Sequence, residues 1–233
     1  MFHNHRKNFI LLIAILSIAC FQGCKKDSLV IDNSLYNYFP TTQGLWKEYL
    51  VDSIYHGEND NDNDDSVYVF QYQIREEIDS TFIDGEGRRS EVVVRYFRSD
   101  SNASWSVCNV WTQVITPQGA YRTENNIPYH KLAVPINANT EWDGNAANTL
   151  DEELYEYEFY HAPGSMNNLS FDSTLSVLQV DENNYVEKIY GRELYATGIG
   201  MIFKQRDELG KKNGIIVKGL EYRMRLVNYG FAQ

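Results

Sequence analysis

The stretch Leu220-Glu221-Tyr222-Arg223-Met224-Arg225-Leu226 decides the fold class of this 233-residue chain. Its apolar residues alternate strictly with charged residues. Because successive side chains of a β-strand point to opposite faces, the pattern predicts a strand with one buried face and one wet face. Such a strand is typical of an antiparallel sheet that packs on one side only.

The same period of two recurs along the rest of the chain. Residues 67–74 place Tyr68, Phe70, Tyr72 and Ile74 on one face of a strand. Further strands are predicted over 81–83, 91–97, 105–115, 153–160, 175–180, 185–190 and 201–205. Clusters of Gly, Pro, Asn and Asp separate these runs, as expected of turns in an antiparallel meander. A long 3.6-residue period is absent from the sequence, so we expect helices to be few and short.

About ten antiparallel strands in a single domain predict an all-β fold, with a curved sheet that closes into a lipocalin-like barrel or half-barrel. Closure would remove exposed strand edges. A β-sandwich is the alternative. Outward faces that carry Glu and Arg argue against a transmembrane barrel. Pro128, Pro135 and Asp143-Gly144 break up residues 121–148, where we expect loops and short extended pieces, with Trp142 packed over an end of the sheet.

The N-terminal residues predict where the protein resides. Two cations, Arg6 and Lys7, precede an uncharged apolar run over 9–21. The run is shorter than the roughly 20 residues of a membrane-spanning helix and fits a secretory signal. An uncleaved anchor would need a longer run, and a plain secretory signal would not need a cysteine at the cleavage site.

The segment Phe21-Gln22-Gly23-Cys24 resembles a bacterial lipoprotein processing site, in which Cys24 is lipidated and becomes the first residue. Cys20 is a second candidate, but the residues after it stay apolar. Cys24-Lys25-Lys26-Asp27 resembles the charged tract of Bacteroidota outer-membrane lipoproteins, although that pattern favours more acidic residues. This resemblance implies a lipid anchor in the outer membrane, on its periplasmic or cell-surface face.

A second resemblance lies further along. Tyr38-Phe39-Pro40, Gly44-Leu45-Trp46 and Val51-Asp52-Ser53 resemble the opening of a recurrent, uncharacterised group of Bacteroidota lipoproteins. The group implies a fold but no catalytic residues. The predicted organisation is a signal peptide over 1–23, a lipidated N-terminus and tether over 24–37, and a β domain over 38–233.

Composition excludes several classes of partner. The formal net charge is −11, and loss of residues 1–23 removes Arg6 and Lys7 and makes it −13. An acidic body repels nucleic acid and anionic headgroups. With Cys24 acylated, Cys108 has no partner for an intramolecular disulfide, and we expect it to be buried as a small core residue; a reactive thiol is the alternative.

The sequence offers no set of residues with catalytic spacing. The histidines of the mature chain, His56, His130 and His161, lack the spacing of a zinc site. Ser165 lacks the second glycine of a nucleophile elbow. The pairs Glu76-Glu77 and Glu152-Glu153 could supply glycosidase carboxylates, but neighbours on a strand point to opposite faces. The prediction is therefore a protein without enzymatic activity, catalytic residues, metal or cofactor.

Asp60, Asp62 and Asp64 alternate within 57–65 like the start of a calcium loop. An EF-hand loop requires Gly at its sixth position and Glu at its twelfth, where this chain has Asp65 and Gln71. A solvated hairpin loop is therefore the preferred interpretation.

Three functions are consistent with these features. The first is a non-catalytic, membrane-anchored envelope lipoprotein that binds a glycan, lipid or protein partner. Its candidate contact residues are the four tryptophans, Trp46, Trp105, Trp111 and Trp142, although tryptophan is more often part of the core. The second is a structural or assembly subunit of an outer-membrane machine, and the third is an envelope hydrolase.

Overall fold

The structure is a computed structural model that describes residues 32–57 and 66–232. The described part contains one short helix and twelve strands of a single antiparallel sheet, which is nearly closed into a barrel. The all-β, barrel-like prediction is therefore confirmed. The elements are α1 Asn33–Tyr38, β1 Leu45–His56, β2 Val67–Ile83, β3 Arg89–Arg98, β4 Ser106–Thr116, β5 Gly119–Glu124, β6 Ile127–Ala133, β7 Glu141–Asp143, β8 Leu154–Met166, β9 Leu169–Asn183, β10 Glu187–Ala196, β11 Gly200–Lys212 and β12 Ile215–Phe231.

The strand order is β6-β5-β4-β3-β2-β1-β12-β11-β10-β9-β8-β7. Each pair of neighbours is consecutive in the chain except β1 and β12, so the first strand joins the last at the middle of the sheet. This register places Val51 opposite Met224 and Tyr49 opposite Leu226. All four side chains are at most 1% exposed, which confirms the predicted buried face of β12 at Met224 and Leu226, whereas Leu220, nearer the open end, is 38% exposed.

The two edge strands approach each other and bring the barrel close to closure. The backbone N–H of His130 on β6 donates to the carbonyl of Gly144, just after β7, at 2.9 Å. The indole of Trp142 donates to the carbonyl of His130, also at 2.9 Å, and the hydroxyl of Tyr157 donates to the carbonyl of Ala133 at 2.7 Å. Side chains thus satisfy backbone acceptors that a continuous ladder would otherwise pair.

Helix α1 packs into one end of the barrel, which we call the closed end. Asp32 caps the helix by accepting a hydrogen bond from the backbone N–H of Ser34. Leu35 and Tyr38 are buried in the main core, and the Tyr38 hydroxyl lies 2.7 Å from Nδ1 of His161 and 2.6 Å from Oγ of Ser173. The helix therefore holds β8 and β9 at this end. The opposite end, where β9 meets β10 and β11 meets β12, is called the open end.

The structure differs from the sequence interpretation in the tether, within residues 121–148 and at Cys108. Residues 33–37, assigned to the tether, belong to α1 and contribute Leu35 to the core. Twelve strands form instead of about ten, because the expected loops of 121–148 include β6, β7 and part of β5. These short segments form strands because neighbouring strands of the sheet supply backbone hydrogen bonds, although the local sequence has little preference for strand.

Cys108 is exposed, so its predicted place in the core is wrong. It lies on β4 at an irregularity in the register with β3, near the open end, where the strands extend beyond the packed core. Its thiol donates to the carbonyl of Arg95 at 3.5 Å. Within residues 32–57 and 66–232, no helix has both the length and the apolar character that a membrane crossing requires.

Leu35→Ala tests the contribution of α1 to stability. Because Leu35 is fully buried in the main core, we expect the substitution to lower the free energy of unfolding by about 2–5 kcal/mol. The control is Tyr36→Ala, which alters the neighbouring side chain, 41% exposed, and should change stability by no more than about 0.5 kcal/mol. Urea denaturation of both variants measures the difference, and equal effects would contradict a packed helix.

Candidate functional site

A cavity of about 950 Å³ lies inside the barrel near the open end. Its lining comes from strands β8 to β11, from β5 and β6, and from residues 145–153 between β7 and β8. Seven carboxylates and three cations are among the lining residues, so the lining is acidic and polar. Tyr129, Tyr155 and Gln179 add neutral hydrogen-bonding groups. This volume falls in the range typical of small-molecule sites.

The floor of the cavity is a group of four charged residues, the floor cluster: Glu124, Lys131, Glu193 and Lys204. The Lys131 ammonium donates to Glu193 at 2.6 Å and lies 3.6 Å from Glu124. Lys204 lies 3.3 Å from Glu193 and 3.5 Å from Glu124. Each lysine therefore contacts both glutamates, and the two positive charges balance the two negative charges.

The lysines of the floor cluster keep its carboxylates ionised. Burial alone would raise the pKa of Glu193, but Lys131 and Lys204 outweigh burial and lower that pKa to about 2. The same competition holds the pKa of Glu124 far below its ordinary value. Neither carboxyl group has a proton to donate at neutral pH.

Deeper in the barrel, three cations surround one carboxylate. Glu76 on β2 is 0% exposed and lies 3.8 Å from Nζ of Lys47, 3.1 Å from Nε of Arg95 and 3.2 Å from Nη1 of Arg122. We call these four residues the Glu76 cluster. Burial lowers the pKa of Lys47 to about 8, and the attraction of Glu76 opposes this shift. Arg122 also lies over the ring of Phe39, beside the closed end, at 5.3 Å.

A ring of carboxylates borders the mouth of the cavity. Arg206 pairs with Glu153 at 2.7 Å and with Glu208 at 2.9 Å. Four further carboxylates lining the cavity have no ion pair with any residue that the structure describes: Asp151, Glu152, Asp181 and Glu182. The mouth is therefore negatively charged and rich in hydrogen-bond acceptors.

The carboxylates of β9 and β11 at the mouth form an acidic wall. One row of inward-facing residues runs from this acidic wall to an aromatic wall across the barrel. Directly paired residues of antiparallel strands point to the same face. From β9 to β2, the paired residues are Glu182, Ile189, Glu208, Leu220, Tyr55 and Tyr68.

The aromatic wall consists of Tyr55, Tyr68 and Phe70, which are 48%, 54% and 53% exposed. Tyr68 and Phe70 share one face of β2 with Ile74, as the alternation predicts, but of these three only Ile74 is buried. The reason is length: β1 and β2 extend past the core at the open end. β2 has 17 residues, whereas strands usually have about 3–10 residues. The sequence pattern did not indicate where β2 begins and ends.

None of the four candidate tryptophans lines the large cavity. Trp111 and Trp142 are buried, and Trp46 lies under the guanidinium of Arg75 at 4.6 Å. Trp105 lies under Arg98 at 4.1 Å. Trp111 instead lines a smaller cavity of about 100 Å³. Because the tryptophans occupy separate environments, the structure does not bring them together as a single platform.

The other residues weighed in the sequence lie apart from one another. His56 contacts Glu221 at 3.0 Å, and His130 stacks on Tyr121 with ring centroids 4.3 Å apart, where burial lowers its pKa to about 4. Ser165 lies within β8. The described residues contain no group of three His, Cys, Asp or Glu side chains that could hold a metal ion.

Glu76 and Glu77 point to opposite faces of β2, as predicted, because Glu76 contacts the interior cations and Glu77 contacts Arg75 at 3.0 Å. Of the pair 152–153, Glu153 contacts Arg206 and Glu152 has no such partner among the described residues. The lipidation residue Cys24 and the acidic residues 58–65 lie outside the described residues.

No protein-family model matches this chain, and neither the curated proteins nor the solved structures contain a match. Fold and site together define its class: an all-β, nearly closed barrel with a charged interior and a polar cavity at one end.

Glu76→Gln tests the Glu76 cluster. Three buried cations would lose their shared carboxylate, so we expect the free energy of unfolding to fall by about 3–5 kcal/mol. Glu77→Gln is the matched control, because it removes a carboxylate from the outer face of the same strand. Its loss should stay below about 1 kcal/mol. Urea denaturation at pH 7 compares the two, and a Glu76→Gln effect as small as that of Glu77→Gln would argue against a stabilising cluster.

Proposed function

We propose that this protein is a lipid-anchored lipoprotein of the bacterial envelope that binds a polar, hydroxyl-rich ligand, of saccharide type, without catalysis. The observation that carries the proposal is the cavity of about 950 Å³ inside the barrel. Ligand sites are typically concave, largely preformed and of this size.

The lining favours a saccharide over a lipid. Carboxylates such as Glu182 and Glu208 accept hydrogen bonds from hydroxyl groups, and the amide of Gln179 both donates and accepts them. An acyl chain in the same space would remove water from these groups without replacing its hydrogen bonds, which is costly. A ligand with many hydroxyls satisfies the lining, so we favour a glycan among the partners considered.

The position of α1 supports an orientation for an anchored molecule. The described chain begins at Asp32, next to the helix that fills the closed end. A tether from Cys24 would therefore join the domain at the closed end. The cavity mouth lies at the opposite end, where a ligand can enter away from the point of attachment.

The state of the carboxylates supports a binding role rather than a hydrolase. Retaining and inverting glycosidases need one carboxyl group that donates a proton and one that is ionised. Glu124 and Glu193 are both held ionised by lysines, and Glu153 is paired with Arg206. Among the described residues that line the cavity, none is a histidine, cysteine or serine that could act as a nucleophile or base.

A second candidate function, assembly with a protein partner, is favoured by the apolar side chains at the open end. Val69, Tyr185 and Ile215 are each more than 60% exposed, and they belong to three different strands or turns at that end. An envelope partner could cover these residues together with the aromatic wall.

Cys24→Ser tests the anchor. The wild-type chain expressed in a bacterium should incorporate labelled palmitate and fractionate with membranes, whereas Cys24→Ser should lose both properties because the acylated sulfur is gone. Cys20→Ser is the control and should retain both. Labelling that persists in Cys24→Ser and disappears in Cys20→Ser would show that Cys20 is the modified residue. If the wild-type protein is not labelled at all, the lipid anchor is rejected.

Ile189→Trp tests the cavity. Ile189 lines it, so a larger side chain should occupy the space of the ligand and weaken binding at least tenfold. Tyr190→Trp, on the opposite face of β10, is the matched control and should bind as the wild type does. Isothermal titration calorimetry with a panel of neutral mono- and disaccharides measures binding. If no saccharide binds and a stoichiometric membrane protein co-purifies, the second candidate is supported instead.

A further inference from the structure

The interior of the barrel contains more buried positive charge than negative charge. The floor cluster is balanced, with two lysines and two glutamates. The Glu76 cluster is not, because Lys47, Arg95 and Arg122 share one carboxylate. Two positive charges are therefore left over among these eight residues. Unbalanced charge is expensive in a protein interior, where water cannot compensate it.

A further buried carboxylate, Glu91, does not cancel this excess. It lies on β3 four residues before Arg95, a separation of about 13 Å along a strand. Its nearest cation is Arg89, at 3.9 Å. Burial raises the pKa of Glu91 to about 7, so much of it is neutral at physiological pH.

Arg95 and Arg122 of the Glu76 cluster each have a buried Nε without a hydrogen bond, and Arg95 is the one that lines a cavity. Its side chain is 10% exposed, and its Nε makes no hydrogen bond, although Glu76 lies within 3.1 Å. The guanidinium lies 3.9 Å above the ring of Trp111. Among the described residues, no acceptor forms a hydrogen bond with the guanidinium of Arg95, which carries five N–H donors. Buried polar groups without a partner usually indicate a missing water or ion.

The space beside Arg95 is the smaller cavity of about 100 Å³. Arg95 and Lys204 line it together with Trp111, Tyr222 and Glu124. Lys204 and Glu124 also line the large cavity, so the two spaces are neighbours. A volume of 100 Å³ holds about three waters at roughly 30 Å³ each, or one carboxylate or phosphate group.

Two sources of negative charge oppose the binding of an anion: Glu124 and the carboxylates of the mouth. Glu124 faces the small cavity, but it is already shared by Lys131 and Lys204. The carboxylates of the mouth repel an approaching anion, but they are in contact with solvent, where salt screens them over about 8 Å. The buried guanidinium is screened far less, so it dominates at close range.

We propose that the small cavity is an anion subsite, in which Arg95 and Lys204 bind the carboxylate or phosphate group of a ligand whose neutral body occupies the large cavity. The ligand class is then an acidic saccharide. The anion would supply acceptors for the free donors of Arg95 and offset the excess charge of the Glu76 cluster. The part that concerns the ligand body rests on the proposed function, whereas the anion subsite stands on Arg95 and its cavity alone.

The test compares ligands that differ in one group. Glucose and glucuronate share a ring but differ by a carboxylate, and glucose 6-phosphate presents a phosphate instead. Calorimetric titrations of the full domain at constant ionic strength should give at least tenfold tighter binding of glucuronate or glucose 6-phosphate than of glucose. Whichever is tighter identifies the preferred oxyanion. Acetate and inorganic phosphate, added alone, should change tryptophan fluorescence saturably because Trp111 lines the subsite.

Arg95→Gln should abolish both the preference for the acidic sugar and the fluorescence change. The matched control is Arg98→Gln, since Arg98 also stacks on a tryptophan, Trp105, but has its own acceptor, Gln73. Arg98→Gln should preserve the preference. If Arg95→Gln fails to fold, Arg95→Lys, which keeps the charge and loses the fork of donors, should weaken the preference.

The outcomes separate the two proposals. Equal binding of glucose and glucuronate overturns the anion subsite and leaves saccharide binding in place. An Arg95-dependent response to phosphate or acetate without any binding of sugars supports the subsite and rejects the saccharide body. A wild-type protein that responds to none of these compounds rejects both proposals.

Discussion

The need to satisfy charges inside a nearly closed sheet is the constraint on which the rest of this structure depends. Closure places Lys47, Glu76, Arg95 and Arg122, from four different strands, in one interior. A buried ion keeps its charge only if partners replace the water it has lost. The side chains therefore restrain the register of β1, β2, β3 and β5, and a slip by one residue would move each charge to the other face.

Apolar and charged residues occupy different parts of the barrel interior. Next to α1 the interior is apolar, with Leu35 and Tyr38 among the buried residues. The Glu76 cluster lies beside this apolar part, with Arg122 over the ring of Phe39, whereas Lys131 and Lys204 of the floor cluster line the cavity. The apolar part supplies most of the hydrophobic stabilisation, so the rest of the interior is free to be polar. A preformed polar cavity is the result.

Strand length positions the acidic wall and the aromatic wall at the open end. Strands β1, β2 and β12 extend beyond the core, so Tyr55 and Tyr68 face inward but remain half exposed. Strands β9 to β11 extend in the same direction and carry carboxylates such as Glu182 and Glu208. The acidic wall lines the cavity and offers hydrogen-bond acceptors, which suits the saccharide class that we propose, whereas the aromatic wall lies at the same end of the barrel outside the cavity lining.

The sequence by itself determined what depends on neighbours along the chain. Alternation in 220–226 gave the strand and its buried face, and the same rule separated Glu76 from Glu77. The tertiary structure decided what depends on distant residues: Arg122 reaches Glu76 across 46 positions and Lys131 reaches Glu193 across 62. Alternation is a property of one strand, whereas burial, ion pairing and cavities arise from the register between strands. For the same reason the exposure of Cys108 and the cavity could not be predicted from sequence, because a position on a strand does not reveal where the core ends.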